Sequence, residues 1–114
     1  MRQQDLVWVR LPFSNLQESK VRPAVIISNN DYNKESNDVV VCAVTSNLKP
    51  AKYGITISQE NLSSGNLPIT SKIRADKVLQ VEKSLVLRSF ARILDSTFDS
   101  LIAELLALVK RRKS

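Results

Sequence analysis

A chain of 114 residues is long enough for one compact domain and too short for two ordinary ones. Hydrophobic residues make up 43% of it, which excludes wholesale disorder, and 17 Lys and Arg against 11 Asp and Glu leave a formal net charge of +6, which favours an anionic partner such as nucleic acid. The lack of any histidine excludes Ser-His-Asp and Cys-His catalysis and histidine-based metal sites, and the single cysteine, Cys42, excludes an intramolecular disulfide.

The core of so small a domain is limited, so a dimer is an expected way to bury more surface. No long apolar segment stands behind Met1-Arg2-Gln3-Gln4-Asp5, and no run approaches the ~20 residues that span a bilayer, so a cytoplasmic protein is expected.

Asp5 to Leu11 alternates, with Val7, Val9 and Leu11 on one side and Trp8 and Arg10 on the other, and reads as strand one, ended by Pro12. Trp8 reads as a core or barrel-face residue rather than a nucleobase platform. A polar, glycine-free loop runs from Phe13 to Val21. Two short runs rich in β-branched residues follow, Arg22-Pro23-Ala24-Val25-Ile26-Ile27-Ser28 and Val39-Val40-Val41-Cys42-Ala43-Val44-Thr45-Ser46. Their length and composition predict buried strands, and the Asn- and Asp-rich span between them predicts turns. Arg22 opens the first strand and Thr45 closes the second, so in one small barrel both side chains reach the same rim. Cys42 lies inside an apolar run and reads as a buried small hydrophobe.

Lys49-Pro50-Ala51-Lys52 breaks the pattern, and Tyr53 to Ser58 resumes it with Tyr53, Ile55 and Ile57 on one face of strand four. Turn signals occupy Asn61 to Pro68. Ile69 to Asp76 predicts a short strand carrying Lys72 and Arg74, and Lys77 to Val81 and Leu85 to Ile93 predict two more, broken by Glu82-Lys83-Ser84. A final helix is predicted with Ser96 as N-cap and Asp99 three residues on, and with Phe98, Leu101, Ile102, Leu105, Leu108 and Val109 along one apolar face. The run Lys110 to Lys113 complements the helix dipole and needs no ligand to explain it. Short strands without crossover helices predict an α+β, mostly β domain: a small antiparallel barrel with a C-terminal helix, spanning residues 1–114 as one unit.

Arg-Pro-Ala-Val-Ile-Ile-Ser followed by Val-Thr-Ser resembles the MazF/PemK family of toxin endoribonucleases. Asp5-Leu6-Val7-Trp8-Val9 resembles that family's first strand, Asp31-Tyr32-Asn33 its short helical turn, Ser71-Lys72-Ile73-Arg74-Ala75-Asp76-Lys77 its Ile-Arg segment, and Ala91-Arg92-Ile93-Leu94-Asp95 its closing Gly-Arg-Leu signal. The resemblance implies an SH3-like barrel of the MazF/PemK/CcdB type. It also implies cleavage of single-stranded RNA at short sequence motifs without metal or cofactor, a homodimer, and a cognate antitoxin whose extended acidic segment covers the RNA groove. Arg22 and Thr45 match the family's catalytic arginine and threonine. Glu18 is the candidate acid, one step after the position where an ungapped match places the family's acidic residue, here Gln17. Lys20, Ser46, Asn47, Lys49, Lys72 and Arg74 are the candidate RNA contacts.

These residue types suit the chemistry. RNA carries its own nucleophile, the 2′-hydroxyl, so the protein has to orient the attack, stabilise charge on phosphorus-bound oxygens and manage two protons. An arginine fork gives two hydrogen bonds to phosphate, and a threonine hydroxyl adds a third, whereas arginine is a poor general base. Aromatics are 5% of the chain, too few for a stacking-rich, sequence-indifferent platform. Two rivals stand beside this reading. A gyrase-poisoning toxin of the CcdB type depends on a Trp-Gly-Ile ending, whereas this chain ends Arg112-Lys113-Ser114. A non-catalytic SH3-like module that binds RNA or a peptide is kept in play by the glycine-free first loop and by Ala91 in place of the family glycine.

Overall fold

The β-branched runs form strands that are apolar on both faces, because both faces of the sheet are covered. The computed structural model describes residues 1–12, 19–50 and 52–113. Its strands are β1 (Asp5–Pro12), β2 (Ser19–Ile26), β3 (Asp38–Thr45), β4 (Gly54–Ile57), β5 (Leu62–Gly65), β6 (Ser71–Glu82) and β7 (Val86–Ile93), and its helices are α1 (Asn30–Glu35) and α2 (Asp95–Val109). They make one seven-stranded antiparallel sheet in the order β4-β6-β3-β2-β1-β7-β5, curled into a half-barrel. The mostly β fold with a C-terminal helix is the one the sequence predicts.

Alternation divides the core in two. Leu6, Val25, Cys42, Val44, Ile73 and Ile93 face α2, whose Leu101 is buried among them. Val7, Val9, Ala24, Ile26, Val39, Val41 and Val81 form the second cluster, closed by Leu79, Leu85 and Val86. Each Val, Leu or Ile among them contributes roughly 1.5–3 kcal/mol when fully buried, set against the entropy of ordering the chain. Burial on both faces is why β2 and β3 read as continuous apolar runs.

Four boundaries differ from expectation. Strand β2 begins at Ser19, inside the segment predicted as loop, because Lys20 and Val21 pair with Leu11 and Arg10 of β1, so Arg22 lies within the strand rather than opening it. The segments predicted as separate strands at Ile69–Asp76 and Lys77–Val81 are one strand, β6, which pairs with β3 along most of its length. Its polar middle is exposed where it passes from one core cluster to the other. The turn-rich span after Asn61 contains β5, which pairs with the edge of β7 and buries little of itself. Helix α2 starts at Asp95 with Leu94 at the N-cap and no side-chain cap, so Ser96 lies inside the first turn. The start is set by tertiary bonds instead: Leu94 N–H and Thr97 Oγ1–H both donate to the Asn61 carbonyl, at 2.9 and 3.3 Å. The predicted apolar face holds through Leu105, and Leu108 and Val109 are exposed. Arg112 donates to the Ala107 carbonyl at 3.4 Å, in keeping with a helix-end role for the basic run.

Helix α1 follows β2 directly. Asn29 caps it by accepting from Tyr32 N–H at 2.8 Å, and the buried Asn33 ties back to Ser28 through both its side-chain atoms. This polar knot holds the end of β2 against β3, because Ser28 Oγ also accepts from Val40 N–H at 3.0 Å.

Candidate nucleic-acid interface

Strand pairing brings the two leading candidates together. Ala24 pairs with Ala43, so Arg22, two residues before the first, and Thr45, two after the second, stand at the same end of the β2–β3 ladder. Both line one open cavity of about 480 Å³, with Ser46, Arg74 and Lys77 supplying polar groups. Trp8, Leu11, Pro23 and Ile69 supply its apolar wall. Trp8 is half-buried and packed on Phe90 with ring centroids 4.9 Å apart, so the wall is rigid on that side. The barrel-face expectation for Trp8 matches this position.

A second cavity of about 300 Å³ adjoins the first, sharing Thr45 and Arg74 with it, and is lined by Asn47, Lys49, Lys52, Lys72 and Asp76. Among the described residues, the two cavities together carry seven basic or carboxylate side chains, of which only Asp76 is acidic. The field over the pair of cavities therefore favours an anion.

Most candidate residues meet here. Arg22 is exposed on β2, and Thr45 is half-buried at the end of β3. Thr45 Oγ1 accepts from Asn47 N–H at 3.1 Å, and Asn47 Oδ1 accepts from Lys49 N–H at 3.0 Å, so the turn after β3 is built on its own side chains. Lys72 is buried, and its Nζ donates to the Lys49 carbonyl at 2.8 Å. Arg74 directs its fork at Asp76, with Nε donating to Oδ1 at 2.7 Å and Nη2 to Oδ2 at 2.6 Å. That hydrogen-bonded pairing raises the Arg74 pKa and lowers that of the Asp76 carboxyl. Lys20 stands on β2 opposite Leu11 of the cavity wall. Glu18 lies outside the described residues.

Residue-by-residue reading of the sequence did not single out Lys52, Asp76 or Lys77. The signal for Asp76 was present: residues two apart on a strand share a face, and Asp76 follows Arg74 at that spacing. Arg92, in the closing motif, is occupied elsewhere, donating to the Gln3 carbonyl at 2.8 Å and to Asp5 at 3.2 Å. Cys42 is fully buried in the core, as expected of a small hydrophobe.

The family profile described as PemK-like, MazF-like toxin of type II toxin-antitoxin system matches residues 2–109. The chain belongs to this toxin family. Among curated proteins none matches it in sequence. Solved structures share its fold. An endoribonuclease in complex with its cognate antitoxin from a mycobacterial species superposes with a TM-score of 0.80 at 16% identity, covering 100% of this chain and 99% of that one. A MazE–MazF complex from Deinococcus radiodurans gives 0.80 at 18% identity over 98% of each chain. A Mycobacterium tuberculosis MazF toxin gives 0.73 at 14% identity, covering 94% of this chain and 99% of that one. At such identities the likeness is one of fold. In this PemK/MazF-like toxin the cavity between β2, β3 and β6 holds the arginine and threonine of the family resemblance.

Proposed function

We propose that this toxin is an endoribonuclease that cleaves single-stranded RNA, messenger RNA included, at short sequence motifs by metal-independent attack of the 2′-hydroxyl on the adjacent phosphate. The observation that carries the reading is the convergence of Arg22 and Thr45 on one basic cavity. In the reaction the O2′–P bond forms and the P–O5′ bond breaks, leaving a 2′,3′-cyclic phosphate and a 5′-hydroxyl. One proton leaves the 2′-hydroxyl and one reaches the departing O5′. Arg22 binds two phosphate oxygens through its fork, and the Thr45 hydroxyl donates to one of them, stabilising the charge that builds in the transition state. Glu18, four residues before Arg22 in the chain, is the carboxylate proposed to take the first proton.

Lys20, Ser46, Asn47, Lys49 and Arg74 guide the strand toward this point, and splayed bases are read on their exposed edges. A cognate antitoxin with an acidic extended segment competes for the same surface, in keeping with the net charge of +6. The active form is a homodimer and the working compartment the cytoplasm.

The test is cleavage of a mixed-sequence single-stranded RNA in excess EDTA, with Arg22→Ala and Thr45→Ala alongside. Cyclic phosphate ends from the wild type, lost in both variants, support the proposal. RNA binding without cleavage over varied substrates makes the domain a non-catalytic module and overturns it. Equal cleavage by all three proteins refutes the site.

A further inference from the structure

We propose that Lys72 is a positioning residue for Thr45, acting through the turn after β3, rather than a contact to the nucleic acid; the inference rests on the proposed ribonuclease reading. Three hydrogen bonds run in series. Lys72 Nζ donates to the Lys49 carbonyl at 2.8 Å, Lys49 N–H donates to Asn47 Oδ1 at 3.0 Å, and Asn47 N–H donates to Thr45 Oγ1 at 3.1 Å. Lys72 also pairs with Thr45 across the β3–β6 ladder and with Thr56 across the β4–β6 ladder, so the chain of bonds starts and ends at one rung of the sheet. The loop between β3 and β4 is thereby closed onto the strand that lies between them.

The burial of Lys72 decides between the two roles. Only 8% of the residue is exposed, and its ammonium rests on a carbonyl of its own chain. A lysine that reaches for phosphate keeps its charged head turned to water. An ammonium bonded to a backbone carbonyl at the end of a largely buried side chain is an anchor, and lysine supplies the length to cross from β6 to the loop.

The consequence falls on the Thr45 hydroxyl. A hydroxyl has one donor and two acceptor sites. The bond from Asn47 N–H occupies one acceptor site and can only be accepted, so the hydroxyl proton points elsewhere. The series therefore holds Thr45 as a donor toward the cavity it lines, which is the role required to stabilise a phosphate oxygen. Loosening the anchor lets Asn47 move, and the hydroxyl then loses the bond that orients it. Misplacement on the scale of an ångström is enough to cost about a hundredfold in rate.

The experiment is a double-mutant cycle of Lys72→Met and Thr45→Ala, read as kcat and KM on single-stranded RNA at several salt concentrations. The expected result is a kcat for Lys72→Met reduced about tenfold to a hundredfold, an unchanged KM and salt slope, and no further loss when Lys72→Met is added to Thr45→Ala. A raised KM with a salt slope smaller by about 0.7, the signature of one lost phosphate contact on a single strand, overturns the proposal. So does a Lys72 effect that persists undiminished in the Thr45→Ala background. Amide exchange gives a readout that needs no cleavage: the Asn47 and Lys49 N–H groups exchange faster in Lys72→Met, and unchanged protection refutes the anchor. A wild type that cleaves no RNA defeats the ribonuclease reading, and exchange then decides the anchor alone. If Lys72→Met does not fold, Asn47→Ala breaks the middle of the series from an exposed position, and an unchanged kcat there refutes the proposal.

Discussion

Arg74 and Asp76 face each other across two positions of β6, joined by two parallel hydrogen bonds of 2.7 and 2.6 Å. The pair lies on the wall of the second cavity, and Arg74 is shared with the first, where Arg22 and Thr45 stand. Asp76 thus offers Arg74 the same planar pair of oxygens that a phosphate would offer. Each side chain is about one-third exposed, at 35% and 34%, so water and salt screen the pair and the exchange for phosphate is easy.

Asp76→Asn is therefore expected to tighten RNA binding about two- to fivefold at low salt, with the gain shrinking as salt rises. Binding isotherms at two ionic strengths check this. The pH dependence has a definite sign. The Arg74 hydrogen bonds hold the Asp76 carboxyl below its ordinary value of 3.8. Its stabilising contribution is complete above the unfolded value and is lost as pH falls through the lower folded one. Across neutral and mildly acidic pH the pair stays closed, and the ratio of wild-type to Asp76→Asn affinity is expected to be flat there. Weaker binding by Asp76→Asn would show that the carboxylate helps to hold the substrate.

Arg22→Lys separates charge from shape. The ammonium retains the charge but gives up the planar two-donor fork, and charge-assisted bidentate bonds to phosphate carry both energy and orientation. The expected loss in kcat is about tenfold or more, with Arg22→Ala losing about a hundredfold to a thousandfold. Steady-state cleavage at saturating RNA is the measurement, and near-full activity in Arg22→Lys would remove the fork from the mechanism.

Gly65 sits where no other residue fits. Its φ is +84°, a region that favours glycine, and a Cβ there would come within 2.4 Å of both the Ala91 Cα and the Phe90 carbonyl oxygen. Both are main-chain atoms of β7, the strand to which β5 is paired. Gly65→Ala is expected to destabilise the protein by about 2–3 kcal/mol, because the backbone strain and the clash fall on one residue. Adding Ala91→Gly does not rescue it, since the Cα and the carbonyl remain. Denaturant unfolding of the single and double variants tests both statements.

The parts of the fold that were legible in the sequence are those whose side chains repeat the geometry of the backbone. Val39 to Val44 and Ala24 to Ile26 announce buried strands because burial on both faces leaves no polar position. Arg22 and Thr45 were legible because they flank the apolar runs, although Arg22 lies inside β2 and only Thr45 ends its strand. β6 was split in two because its side chains turn polar at Asp76 and Lys77, where the register to β3 shifts between the Cys42–Val78 and Val44–Ile73 pairs, and the pairing that resumes on either side leaves no mark on composition. β5 escaped for the same reason: Leu-Ser-Ser-Gly is a strand only because β7 presents an edge to it. The start of α2 was misplaced because the Asn61 carbonyl, more than thirty positions away, does the work that Ser96 was expected to do. Lys72 looked like Arg74, one more cation in a basic segment, and only the position of the Lys49 carbonyl distinguishes them.

Cys42 gives the last prediction. Burial pushes its thiol up to about 11 from 9.0, and the charge of Asp76 adds to the effect. A raised thiol value means that the folded protein keeps its proton where the unfolded chain has already lost it. Stability from this group is therefore full below about pH 9 and lost as pH rises toward 11, by on the order of 2 kcal/mol. The wild type alone cannot isolate the effect from other changes at alkaline pH. Cys42→Ala can: the methyl it leaves costs some packing at every pH, but it carries no proton. The stability advantage of the wild type over Cys42→Ala is expected to shrink steadily between pH 9 and 11 in denaturant titrations. The same burial keeps the thiol unreactive in the native state, because the thiolate is the attacking form. Labelling by a thiol reagent at neutral pH is expected to be slow when folded and prompt in denaturant. Rapid labelling of the native protein, or a stability difference that does not change with pH, would place Cys42 nearer to solvent than its packing beside Val25, Val44 and Ile73 allows.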